Sequence, residues 1–264
     1  MKKAWRGVFM FYCKVDYRVL LSFSDWLNKW KDRLYLNFVA SGRYKYLVRG
    51  LWMTLRITFF AVLLGIALGV VAAIIRSTHD KIIEEIRPGF GKFLLRFFNL
   101  IVKLYLTVIR GTPVVVQLMI MYYVIFASST NAMMVAILAF GINSGAYVAE
   151  IIRSGIMSID AGQFEAGRSL GFNYIQTMIY IIIPQAIKNI LPALANEFIV
   201  LIKETSISGY VGIMELTRGG DVIRSRTFDA FPPLLAVAII YLIIVVFFTK
   251  LVSMLERRMR NSER

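Results

Sequence analysis

One cysteine (Cys13) and one histidine (His79) occur in 264 residues. A disulfide framework and a Cys/His metal cluster are therefore excluded within a single chain, and cysteine usage gives no reading of redox compartment. Acidic residues are scarce as well, 16 against 31 Lys and Arg, for a formal net charge of +15. A balance this basic suggests nucleic acid when the cations share one polar face. Here they sit in the first 49 residues, in short polar connections and in the tail, where membrane proteins meet anionic headgroups. Charge is thin overall, 18% of residues, against about 25% in soluble domains. With one histidine and no clustered carboxylates, the chain offers no acid–base pair and no metal set, so no catalytic residue is expected. The basic residues Lys2, Lys3 and Arg6 precede the run from Gly7 to Phe23, but Lys14, Asp16 and Arg18 break it and no small-residue cleavage pattern follows. It does not read as a cleaved signal peptide.

What is abundant is apolar: 58% of residues are hydrophobic and the mean hydropathy is +0.65. Crossing the hydrocarbon takes about 20 helical residues with every backbone polar group satisfied internally. Five runs qualify: Leu51 to Ile75, Phe97 to Phe126, Ala132 to Ile152, Ala186 to Ile202 and Pro232 to Met254. The first carries Ala61, Gly65, Gly69 and Ala73, a four-residue repeat of small side chains that lets another helix approach closely. The second is too long for one untilted crossing and is interrupted by Arg110, Gly111, Thr112 and Pro113. Thr112 capping a new helix with Pro113 at its first position would make it a kinked or broken span. The fourth run is short and polar, holding Lys188, Asn189, Pro192, Asn196 and Glu197.

These runs predict an all-α integral membrane fold with three parts. Residues 1–46 form a basic, aromatic extension (Trp5, Phe9, Phe11, Tyr12, Trp26, Trp30, Tyr35) suited to an amphipathic helix lying in the interface. Residues 47–258 form the five-helix membrane domain, and 259–264 a polar tail. Placing 76–96, 153–188 and 250–264 in the cytoplasm puts 13 bases inside and 15 outside. The positive-inside rule disfavours that arrangement unless residues 1–49 are set aside, when the comparison becomes 13 against 4.

Between the third and fourth runs lies a polar stretch too hydrophilic to span. Asp160 with Gln163 resembles a capping box, Gly171 suits the position just past a helix end, and Asn173 can cap the next helix. The forecast is helix, glycine corner, helix: a rigid knob at the membrane surface, or an ordinary interhelical loop. Glu165-Ala166-Gly167, three residues, Gly171, nine residues, Ile181, one residue, Ile183-Pro184 resembles the EAA motif of bacterial ABC-importer permeases, usually Glu-Ala-Ala, x3, Gly, x9, Ile, x, Leu-Pro. Gly167 and Ile183 depart from that pattern by small changes of volume. Arg110-Gly111-Thr112-Pro113 with Gln117, Asn143-Ser144-Gly145-Ala146-Tyr147, and Asn196-Glu197-Phe198-Ile199 resemble the polar amino acid branch of that family.

The resemblance spans about Gly50 to Arg258 and carries several expectations. It implies a five-helix permease core in the bacterial cell (inner) membrane, amino terminus outside, working as a dimer with a second copy or a similar permease. Partners are a cytoplasmic ABC ATPase dimer, which supplies ATP and Mg, and an extracellular amino-acid-binding protein. Asp160, Gln163, Glu165, Ala166, Gly167, Gly171, Ile181 and Pro184 would belong to cytoplasmic coupling helices docking on the ATPase. No Walker A pattern occurs, since Gly89-Phe-Gly-Lys92 lacks the first glycine and the Ser/Thr. The chain itself would bind no cofactor and no metal.

Polar groups at membrane depth are costly and so are candidates for a substrate site. Arg110 suits a clamp on an α-carboxylate or, alternatively, an ion pair with Glu150 or Glu197, or an interface anchor. Gln117, Asn143, Tyr147, Asn196 and Glu197 suit ligand contacts or helix-to-helix hydrogen bonds, with Glu197 placed for an ammonium. Lys203-Glu204-Thr205-Ser206 and Glu215 with Arg218 read as a solvated outer loop, or as part of a gate or docking surface. An ion-driven secondary transporter or channel for small polar solutes is the competing reading; it would not need the surface knob.

Overall fold

Four small side chains on one helix face decide the packing. The computed structural model describes residues 24–84 and 86–261; expectations for Trp5, Phe9, Phe11 and Tyr12, and for the last tail residues 262–264, lie outside them. Helix α1 (24–34) leads through a π-turn (Tyr35–Val39) and a short 3-10 turn (Ala40–Gly42) into α2 (Tyr44–Ile82). At 39 residues α2 is about 58 Å long, roughly twice the hydrocarbon thickness, so its ends leave the membrane. Ala61, Gly65, Gly69 and Ala73 are all buried along it. They receive α5 (Ala132–Met157): a Cβ at Gly69 would lie 2.4 Å from Val148 Cγ1. Loss of the side chain is what brings the two backbones together, the geometry expected where lipid supplies no hydrophobic drive between helices.

The second apolar run is broken. α3 (Phe90–Gly111) and α4 (Val114–Ile120), which continues through a π-turn (Met121–Ile125), meet at a bend of 109°. The expected cap at Thr112 is not formed. Pro113 is the capping residue, and the Thr112 hydroxyl donates back to Val108 O at 2.8 Å. The Thr112 oxygen has already served the end of α3. The bend itself is held by Gln117, whose Nε2 donates to Ile109 O, Thr112 O and Thr112 Oγ1.

After α5 come α6 (Ala161–Ser169), α7 (Tyr174–Thr177) with a π-turn (Met178–Ile182), and α8 (Ile183–Glu204), which passes into a 3-10 segment (Thr205–Val211). The fourth span thus runs from Tyr174 to Val211, far longer than the apolar run suggests. α9 (Leu216–Thr227) and α10 (Phe231–Asn261) complete an architecture in which no strand occurs among the described residues. Among the described residues, four helices are long and apolar enough to cross, five if the bent pair counts as one span. The central cluster joins α2, α4, α5 and α8 through Ile57, Leu118, Phe140 and Leu201.

α9 corrects the solvated-loop expectation. Glu215 is 0% exposed, caps α9 by accepting from Thr217 N and Arg218 N, and accepts from Tyr241 of α10 at 3.3 Å. Leu216 N donates to Thr54 Oγ1 of α2. Thr205 and Ser208 are buried as well. The polar residues that read as loop are those spent on seating a helix between α2 and α10.

Candidate functional site

The α6–α7 corner forms from local chemistry. The Asp160 side chain accepts from Gly162 N at 2.7 Å, so α6 is capped, but the expected box with Gln163 is absent. Gln163 Oε1 accepts from Gln185 Nε2 instead, which ties α6 to α8. The box appears one helix later: Asn173 Oδ1 accepts from Gln176 N while Gln176 Oε1 accepts from Asn173 N. Between the two helices Gly171 adopts φ +82°, the left-handed conformation in which a side chain is strained. Gly167 is buried against α7; a Cβ there would sit 2.7 Å from Thr177 Cγ2. The corner is seated on the ends of α5 and α8 by Ile156, Ile182, Ala186 and Ile190, with Phe164 and Ile181 packed beside them. Pro184 falls where the π-turn passes into α8, so the N–H it lacks is missing at a change of helix geometry and not inside regular α-helix. Glu165 and Ala166 point outward, and Lys81 from the end of α2 lies 4.3 Å over the Phe164 ring.

The six residues proposed for substrate divide into two groups, with Asn196 apart. Arg110 and Tyr147 line a cavity of about 570 Å³ together with Arg76, Lys103, Glu150 and Arg153. Arg110 Nη1 is 3.6 Å from Glu150 Oε2, and its guanidinium is 5.9 Å from the Tyr147 ring. Of the two carboxylates considered as its partner, Glu150 is the one it meets. Arg153 holds the other Glu150 oxygen at 2.6 Å. Arg76 donates to Asn99 and faces Asp80 at 3.7 Å. Four cations and one carboxylate therefore line the cavity, a basic environment between α2, α3 and α5.

The second group is a set of hydrogen bonds between helices. Asn143 Nδ2 donates to Gln117 Oε1 at 2.9 Å, and Ser144 Oγ donates to Glu197 Oε1 at 2.9 Å. Asn143 and Ser144 are buried, so these bonds satisfy groups that would otherwise be stranded. Asn196 is exposed on α8.

Lys103, Arg76 and Arg153 line the cavity too, although none stands out in the sequence as a ligand group. Lys103, Thr107 and Arg110 recur at four- and three-residue spacing, one face of α3; that signal was present. Arg76 and Arg153 come from other helices, and only the packing joins them to it.

Comparison with known proteins finds relatives along most of the chain. The profile of the family described as binding-protein-dependent transport system inner membrane component matches residues 65–261. The glutamine transport system permease protein GlnP of Escherichia coli K12 is 36% identical over 218 residues, covering 81% of this chain and 93% of the relative. The arginine transport system permease protein ArtQ of Bacillus subtilis 168 is 34% identical over 221 residues, 83% of this chain and 94% of the relative. Among solved structures, an amino acid ABC transporter crystallised with histidines superposes with TM-score 0.73 at 42% identity, covering 84% of this chain and 98% of that one. An inward-facing MetNI methionine ABC transporter superposes with TM-score 0.68 at 21% identity, covering 82% and 97% respectively, and agrees in fold.

Proposed function

The chain belongs to the binding-protein-dependent transport system inner membrane component family, and on that premise we propose how this permease works and what it carries. It is the transmembrane subunit of an ATP-driven importer of polar amino acids, and ATP with Mg binds on a separate cytoplasmic ATPase dimer. A second permease, identical or similar, completes the pore, and an extracellular binding protein delivers the amino acid.

The observation that carries this reading is the α6–α7 corner. Its outward residues, Glu165 and Ala166, are free to meet a partner, while its inward face is fixed by the Gly167–Thr177 contact and the Ile156, Ile182, Ala186, Ile190 cluster. Close-packed interfaces transmit displacement rather than absorb it. Closure of an ATPase dimer on α6 would therefore move the ends of α5 and α8 together. Those helices carry Asn143, Ser144, Glu150 and Glu197, so the same movement would rearrange the polar contacts at membrane depth. The basic cavity suits a carboxylate: Arg110 can exchange its long 3.6 Å contact with Glu150 for a shorter, charge-assisted bond to an α-carboxylate. Glu197, whose described partner is the Ser144 hydroxyl, supplies an acceptor for an ammonium.

Gentle purification of the tagged chain from membranes tests the coupling. The native chain is expected to bring down an ATPase subunit, and Glu165→Arg to lose it while still eluting as a folded, monodisperse membrane protein. Recovery of the native chain without any ATPase would contradict the proposal.

A further inference from the structure

The family match begins at residue 65, yet the chain before α2 is built onto the body with care. Arg33 makes two hydrogen bonds to Asp229, at 2.9 and 2.7 Å, in the corner between α9 and α10. Asn37, 0% exposed, donates to Asp229 Oδ2 and accepts from Thr227 Oγ1. Trp30 meets Phe231, the first residue of α10, edge to face at 5.7 Å. These contacts fix the end of α1 beside the first turn of α10, a helix long and apolar enough to cross a membrane.

The arrangement of residues around α1 is specific. At about 100° per residue, Trp26, Leu27, Trp30 and Leu34 fall within one arc of roughly 100°. Arg33 and Lys29 border one side of it and Lys31 the other. Asp25, Asn28 and Asp32 lie opposite. Trp26, Leu27 and Leu34 are exposed, as are Tyr35, Leu36 and Val39 in the next turn. The exposed apolar surface continues onto α10 through Phe231, Leu234 and Leu235 and onto α2 through Val48 and Trp52. Phe228, at the corner that Arg33 clamps, is 95% exposed although its φ is +54°. A bulky residue in the left-handed region is disfavoured, and a ring so held out gains only from an apolar surrounding.

The geometry points to α1 and Phe228 as a lipid-interface anchor at the amino-terminal end of α2, with the apolar arc in the acyl boundary and Lys29 and Lys31 on anionic headgroups. A protein partner is the less suited occupant, because the arc is flush with exposed apolar surfaces of α2 and α10, two helices long and apolar enough to cross a membrane. Basic residues bordering the arc, with acids on the pole away from it, match an anionic bilayer surface. This goes beyond the transport reading and does not depend on it, since α1 meets lipid or does not whatever the chain carries.

Spin labels test it on the full chain in vesicles. In a Cys13→Ser background, Leu27→Cys and Leu34→Cys take a label on the arc, and Asn28→Cys and Asp32→Cys on the opposite pole. The arc labels are expected to collide with oxygen and to be shielded from a water-soluble nickel chelate, and the polar-pole labels the reverse. Lys29→Glu with Lys31→Glu is expected to raise chelate access at position 27 in phosphatidylglycerol vesicles. It should leave that access nearly unchanged in phosphatidylcholine. Equal chelate access at all four positions would overturn the proposal. So would arc labels that become shielded from both reagents only when a binding protein is added, the pattern of a protein dock.

Discussion

Glu215 has no exposed surface, and its oxygens serve two backbone N–H groups and the Tyr241 hydroxyl. Burial pushes its carboxyl above the usual carboxylate range, while the bonds from Thr217 and Arg218 pull the other way without cancelling it. The folded value exceeds the unfolded one, about 4.3, so the native state holds the proton more tightly. This carboxyl's contribution to stability is therefore fully present below the unfolded value and is lost as pH rises from there through the folded one. Thermal unfolding in detergent from pH 4 to 8 should show the native chain losing stability relative to Glu215→Gln as pH rises. Glu215→Ala, which removes the helix cap and leaves two part-buried N–H groups without their acceptor, should cost about 0.5–2 kcal/mol. None of this was legible at the residue itself, because a glutamate in a polar stretch reads as solvated until three helices close around it. Arg110 was legible in part: a charge beside a helix break signals a role, but only the fold selects Glu150 over Glu197 as its neighbour.

At the scale of elements, the α6–α7 corner was the most readable part of the sequence, since Asp160, Gly171 and Asn173 act through neighbours two to three residues away. The box was misplaced by one helix because Gln163 bonds to Gln185, 22 residues distant. The departure at Gly167 has a structural reason. The methyl group of an alanine, usual in the resembled motif, would meet Thr177 Cγ2 at 2.7 Å. Gly167→Ala should lower thermal stability by about 1–3 kcal/mol, the range for overpacking. Thr177→Ser, which removes that methyl, should restore much of it when combined with Gly167→Ala. Purely additive effects in the double mutant would show that the two helices do not share this contact. Element lengths were less legible: the fourth span starts within the corner itself and continues through the 3-10 segment, where polar residues hide a helix that packing stabilises.

Across the whole molecule, the structure joins a surface corner to polar contacts at membrane depth through α5 and α8. If ATP drives that connection, transport must follow the nucleotide and not an ion gradient. The decisive measurement is uptake of radiolabelled amino acids, glutamine, arginine and glutamate in parallel, into proteoliposomes. These would hold the chain with its co-purified subunits, binding protein outside and ATP inside. Accumulation is expected to require ATP and Mg, to persist with ionophores present, and to fall at least tenfold in Glu165→Arg. Accumulation without ATP that ionophores abolish would contradict the account and assign the chain to gradient-driven transport.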